Sequence, residues 1–550
     1  MLAIAGGRHS GIVAEEVVLK NGWVLKGKLG QVTGLVELPK PLSEGGGDIP
    51  LIVFVDDDLR RTYVSKRQIL EIRPGEVNEV LERFTIPQRV KLAGPAIAAV
   101  GQPLRVTPFD EYGRRIFTMS GPKTPIDVVQ GITEITPHWT RVRGLTHYWD
   151  MRMATTSIPP ETLYRILTGR NDNPDPDLRK KIARFYIQMQ RYEDAVKQLK
   201  AILEDPSIEE DEREALQATL RSLQSLAAQR LLGELQMRRQ AGQHRLVFDL
   251  LNRFPSENVG GELLQQVRQI VDEYKKQSDE GRRLVTRLEE LVEEIPSTGV
   301  REELMPILAE IKQKLDFDTL PRLAAFAQLV DDDTLLAEER VSLAVSGWVV
   351  GANLAGRRLP VALSLYRVRG LVQKYLTAED ALTRSEVLKE LEGEEGATPT
   401  YVTAVLAHME PVAAPELTEE AGGYFVVDVP ETVPDRPNRY LVQLPPEYSP
   451  LRKYPTIVTL HGAGTTAAHQ VDWWAGERTE NGMRLGQAGR HGYIVVAPMW
   501  TTEHQARYEY SLHEHLAVLN AVRDACRRFS IDTDRMFLSG HFMGADAAWD

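Results

Sequence analysis

Residues 537–546 read Phe-Leu-Ser-Gly-His-Phe-Met-Gly-Ala-Asp, an apolar strand running into a Gly-x-x-x-Gly turn and then into a helix start. No other stretch restricts the backbone so tightly. A strand that reverses into a helix within five residues brings its own ends together. Gly540 and Gly544 suit that reversal because only a hydrogen fits where the turn folds back. One side chain is left exposed at the apex, and it is Phe542, with His541 before it and Met543 after it. Phe542 carries no ionisable or nucleophilic atom, so the apex is expected to be chemically silent.

Three apolar runs precede this turn, at 440–448, 454–464 and 492–498, and a helix-length segment at 511–529 leads to the last strand. That order suits a mostly parallel sheet with helices outside it. Leu460-His461-Gly462, then Asp532-Thr533-Asp534-Arg535 leading into Gly540-His541-Phe542-Met543-Gly544, resembles the α/β-hydrolase family in its esterase, polyester-depolymerase and prolyl-oligopeptidase-like branches. The resemblance covers about the last fifth of the chain. It implies a serine hydrolase acting on an ester or peptide substrate, with no cofactor and no metal. It also implies that Ala463 and Met543 each offer a backbone N–H to an oxyanion, with Gly540, His541 and Gly544 building the elbow turn.

The family pattern has Ser where this chain has Phe542, and a second Gly where it has Ala545. The acid and the His that follow Ser in the family's chain order are not reached by Asp550. The sheet is therefore expected to be truncated, the N-terminal half of a hydrolase domain in a fragment of a longer parent, and the chain to be inactive. Ser539 lies three positions before the apex and would project differently. Three origins of Phe542 stay open: an evolved loss of the nucleophile, an engineered or sequencing change, or an active protein wrongly represented.

Other motifs compete for this region. Gly462-Ala-Gly464-Thr-Thr-Ala467 after a strand matches the dinucleotide fingerprint Gly-x-Gly-x-x-Ala. Glu480 lies near the required acidic distance, but beside the turn pair Asn481-Gly482 rather than at the end of an apolar strand. His513 and His515 are two apart on a helix, where a metal pair needs four, and read as surface histidines. Trp473-Trp474 reads either as a pocket lining or as a packed loop.

At 550 residues the chain implies roughly three or four domains. Its 42% hydrophobic and 26% charged residues are those of a folded protein, and a net charge of −12 argues against nucleic acid as a partner. A single cysteine, Cys526, excludes an intrachain disulfide. The uncharged run at 341–356 is too short for a membrane span and reads as core. The N-terminus has a small residue ahead of acidic ones without a basic start, a slight lean to an exported or periplasmic location against a cytoplasmic one.

The fold expected is multidomain: all-β, then all-α helical hairpins, then the truncated α/β sheet. Residues 15–75 form a small β-barrel-like domain opened by a hairpin, with Asn21-Gly22 as two successive positive-φ positions. Residues 43–47 form a flexible loop. Residues 76–155 are a β-rich extension, 159–392 a helical region, 393–423 a linker, and 424–550 the hydrolase-like half. Residues 178–206 resemble a tetratricopeptide unit through Ala183, Tyr186, Ala195, Leu199 and Ile202, with Ser207-Ile-Glu-Glu210 as a capping box for the next helix. A second hairpin is expected around Ala241-Gly242-Gln243. A non-catalytic alternative follows, a pseudo-hydrolase that acts as a binding or scaffold protein and docks a protein partner through its helices.

Overall fold

The computed structural model describes residues 15–31, 40–41, 52–57, 59–74, 81–91, 103–121, 124–413, 422–429, 438–479, 482, 484–502 and 505–550. The N-terminal stretch read for export, the loop at 43–47, and Glu480 with Asn481 lie outside the described residues. The chain is a multidomain mixed α/β protein with an N-terminal β region, a central helical region and a C-terminal β region. It divides into two units, Met1–Ala227 and Ala228–Asp550.

In the first unit, β1 (Glu15–Leu19), β2 (Val24–Gln31), β3 (Lys40–Pro41), β4 (Ile52–Asp56), β5 (Arg61–Ser65) and β6 (Ile69–Pro74) form an antiparallel sheet in the order β5-β4-β2-β1-β6, with β3 on β2. Alternate residues Val17 and Leu19, and Val53 and Val55, share one core face, as the two-residue period of a strand requires. Among the described residues β5 and β6 do not pair, so this is an open sheet and not the expected barrel. The β1–β2 turn also differs from expectation. Gly22 alone has positive φ, at 88°, because Asn21 instead turns its Oδ1 onto the Trp23 N–H at 3.1 Å.

A second antiparallel sheet follows, built from β7 (Phe84–Thr85), β8 (Pro103–Val106), β9 (Arg114–Met119), β10 (Ile126–Ile135), β11 (Trp139–Gly144) and β12 (Asp150–Ala154). Its inner residues Phe84, Ile132, Ile135 and Val142 share one core with α1 (Pro160–Leu167), α2 (Pro176–Gln188) and α3 (Tyr192–Leu203). Ala183, Tyr186, Ala195, Leu199 and Ile202 all enter that core. The helical hairpin thus buries its apolar face against a sheet. The expected capping box is absent: α4 (Glu210–Gln240) starts three residues past Ser207, whose hydroxyl donates to Asp205 at 2.6 Å.

The second unit continues with α5 (His244–Asn252), α6 (Gly261–Glu294), α7 (Thr298–Lys314), α8 (Ala324–Leu329), α9 (Ala337–Val350), α10 (Leu359–Thr377), α11 (Ala381–Glu392) and α12 (Pro399–His408). The uncharged run lies mostly in α9, which is buried from Arg340 to Val350. Its small residues allow this: a Cβ on Gly347 would stand 2.5 Å from the Arg322 carbonyl oxygen. No helix among the described residues is long and apolar enough to cross a membrane. The expected linker is in part a helix, since α12 falls inside it and Val405 and Met409 pack with Val349, Val350 and Leu365. Proline at the first helical position and the Thr398 side chain capping the Tyr401 N–H explain why a proline-marked stretch is helical.

The last sheet holds β13 (Tyr424–Val429), β14 (Asn438–Gln443), β15 (Tyr454–Leu460), β16 (Ile494–Pro498) and β17 (Ile531–Gly540), in the order β13-β14-β16-β15-β17. Among the described residues it has five strands. Only β15–β16 and β15–β17 are parallel; β13–β14 and β14–β16 are antiparallel, so the sheet is mixed and not mostly parallel. The two parallel pairs have the helical crossovers that such pairing requires: α13 (Ala467–Ala475) and α14 (Gln487–Arg490) before β16, and α15 (Leu512–Arg528) before β17. A final helix, α16 (Met543–Trp549), follows β17.

Candidate functional site

Strand β15 lies between β16 and β17, and the chain leaves it toward one side before crossing back to the other. Ligands of open α/β sheets bind outside the carboxyl ends of strands at such a reversal. Two segments meet there: the loop at 461–466 after β15, and the turn from β17 into α16. The His541 N–H donates to the Leu460 carbonyl at 3.0 Å, and the Gly544 and Ala545 N–H groups close the turn onto His541 and Phe542, each at 2.9 Å.

Three glycines make the junction possible. A Cβ on Gly540 would stand 1.9 Å from the Gly544 carbonyl oxygen, one on Gly544 2.3 Å from the Leu460 oxygen, and one on Gly462 2.4 Å from the His541 oxygen. No side chain fits at such separations. Phe542 is forced to φ 54°, ψ −120°, a region that a residue with a Cβ avoids, and its ring is 65% exposed at the apex. Of the predicted site residues, Gly540, His541, Phe542, Met543 and Gly544 form one turn, and Ala463 packs beside Met543 in the cluster of Leu460, Trp500, Tyr508 and Ala517. Met543 is the first helical residue, so its N–H has no partner within the helix. Ser539 sits back on β17 and Ala545 is exposed on α16.

The surroundings are aromatic. Trp473, 73% exposed, lies with its ring centroid 6.3 Å from that of His541. Trp474 is half-buried, and its Nε1–H donates to Thr459 Oγ1 at 3.2 Å. His461 is buried against Trp500, and burial holds its imidazole below the ordinary histidine value, hence neutral. His515 lies at the surface, as expected, and also has partners: its Nε2 stands 2.6 Å from the Tyr508 hydroxyl and 2.9 Å from Asp550 Oδ2. Burial first, and then the hydrogen bond and charge of Asp550, push the Tyr508 phenol well above its usual range, so it is no nucleophile at neutral pH.

No protein-family model matches the chain, and no curated protein matches it. Similar solved structures include S-formylglutathione hydrolase (FrmB) from Staphylococcus aureus, at 19% identity over 22% of this chain and 48% of that one, with a TM-score of 0.18. A CE1 ferulic acid esterase from Anaeromyces mucronatus, in complex with ferulic acid, matches at 15% identity over 24% and 53%, with a TM-score of 0.17. A thermostable esterase matches at 25% identity over 22% and 35%, with a TM-score of 0.16. The chain spans about half or less of the length of each. Scores this low carry no argument about activity.

The dinucleotide reading has part of its context, because β15, α13 and β16 form a strand–helix–strand unit. Its chemistry is blocked, since the close approach that Gly462 allows is taken by the His541 carbonyl and the Phe542 Cβ. Two features escaped the sequence reading. Gly462 meets residues some eighty positions away, and the Tyr508–His515–Asp550 cluster joins three segments with no shared motif.

Proposed function

We propose that residues 424–550 are a hydrolase-type α/β domain of the esterase and peptidase kind in which Phe542 occupies the nucleophile position, so that this chain binds ester or peptide carbonyl groups without cleaving them. The observation that carries the reading is the backbone of Phe542, at φ 54° and ψ −120° on an exposed strand-to-helix turn between Gly540 and Gly544. Strain of this kind is costly, about 1–3 kcal/mol, and persists only where its surroundings over-determine it. In an active enzyme the apex is where a hydroxyl attacks a carbonyl whose oxygen turns to two backbone N–H groups, here those of Ala463 and Met543. Donors of that type are worth about 3–4 kcal/mol each in such enzymes. A phenyl ring cannot attack, and the donors would then orient a carbonyl that stays intact.

A fluorophosphonate probe tests the catalytic half of the reading, with no adduct expected on the folded chain. A stoichiometric adduct, mapped by mass spectrometry to Ser539 or to any residue of the turn, overturns it. Phenyl acetate followed by NMR tests the binding half. Line broadening without loss of the ester is expected, and sharp, unperturbed lines at millimolar ligand refute binding.

A further inference from the structure

The helical part of the second unit and its C-terminal sheet meet through side chains that each complete the other's structure. Helix α5 has Gln243 as its N-cap residue, yet that side chain makes no cap. Its Nε2–H donates instead to the carbonyl of Gly489, at 2.7 Å, while its Oε1 accepts from Arg238 at 2.7 Å. The open end of α5 is closed from the other side: Glu447 accepts the Arg245 and Leu246 N–H groups on its two carboxylate oxygens, each at 2.8 Å. Glu447 holds φ 55° in the loop between β14 and β15, a strained backbone for a residue with a Cβ.

Charge pairs flank this exchange. Glu234 receives both Arg490 and Arg238, and although burial would push its carboxyl up, those guanidinium groups hold it below the usual range. Arg452 reaches Asp318 at 2.5 Å and also donates to the Gln240 carbonyl, while Arg322 donates to the Leu451 carbonyl at 3.0 Å. The packing is close as well: a Cβ on Gly492 would stand 3.1 Å from the Ala241 carbonyl oxygen, and one on Gly242 2.5 Å from Arg452 Nη1. Every one of these contacts reaches the sheet at the segments that lead into β15 and β16, the ends opposite Phe542.

We infer that residues 228–413 are the built-in base of the C-terminal sheet, an interaction surface whose partner is the chain's own α/β domain, and that the two fold and unfold as one cooperative body. Neither side is complete alone. Without the loop at 444–453, α5 lacks an N-cap; without the helices, Glu447, Arg452 and Arg490 lose the partners they have here. The face of the helices that carries Glu234, Gln243 and Asp318 is filled, so a second protein must dock elsewhere on them.

Hydrogen exchange of the full chain across a urea series, resolved by peptide, tests this directly. Peptides covering α9 and β16 are expected to lose protection at the same urea midpoint, and Glu447→Ala is expected to lower both midpoints together. The milder Glu447→Gln keeps one good acceptor and should shift both by less. Separate midpoints for α9 and β16 in the unsubstituted chain, or a shift confined to one of them in either variant, would overturn the inference.

Discussion

Phe542 is held in its strained conformation by neighbours that leave no alternative path for the backbone. Gly540, Gly544 and Gly462 each sit where a methyl group would meet a carbonyl oxygen, which makes the elbow intolerant of substitution at the glycines and tolerant at the apex. Phe542→Gly removes a mostly exposed ring and relieves the positive φ, so chemical denaturation should show a stability gain of about 1 kcal/mol. Gly540→Ala should cost about 3 kcal/mol or more, because the added methyl would meet the Gly544 carbonyl and Gly544 is itself packed against the Leu460 carbonyl. An unchanged midpoint for Gly540→Ala would refute the crowding. The elbow was legible in the sequence because both of its glycines fall within five residues. Gly462 was not, because the carbonyl it avoids belongs to His541, and nothing local in the loop after β15 signals that encounter.

At the scale of elements, the hairpin of α2 and α3 shows how one helical unit persists without repeats. Its packing residues were recognisable from their spacing, but what covers them was not. Phe84 on β7 meets Phe185 on α2 edge to face at 5.4 Å, and Ile132 and Ile135 of β10 fill the same core. A double-mutant cycle of Phe84→Leu and Phe185→Leu should therefore return a coupling of about 0.5–1.5 kcal/mol. Additivity within experimental error would mean that sheet and hairpin are energetically separate. Sequence alone misjudged other elements for related reasons. Prolines between 393 and 413 read as a linker, although Pro399 starts α12. Ser207 read as a cap, although Asp205 nearby takes its hydroxyl first. In each case a local signal was outweighed by a nearer partner or by burial that only the assembled core supplies.

The second unit as a whole carries a built-in sensitivity to acid. Burial depresses His461 and His408 below the ordinary value of 6.5, so between that value and their folded ones the unfolded chain binds protons that the folded chain does not. The stability they contribute is complete above pH 6.5 and falls as the pH drops. Burial alone would raise Glu310 and Glu234, but their arginine partners hold both below 4.5, which adds a second loss of the same sign below that pH. Thermal midpoints measured from pH 8 to 3 should decline first below about 6.5 and then more steeply below about 4.5. His461→Gln should flatten the first step, and a midpoint constant from pH 7 to 5 would refute the histidine account. The strand order has a consequence of another kind, in time. Strand β15 pairs on one side with β16 and on the other with β17, which is synthesised after both. At ordinary synthesis rates the free edge of β15 waits on the order of ten seconds for its second neighbour. Throughout that delay the helices that emerged earlier are already available as a template, and the nascent chain's exposure to aggregation is set by how soon β17 arrives.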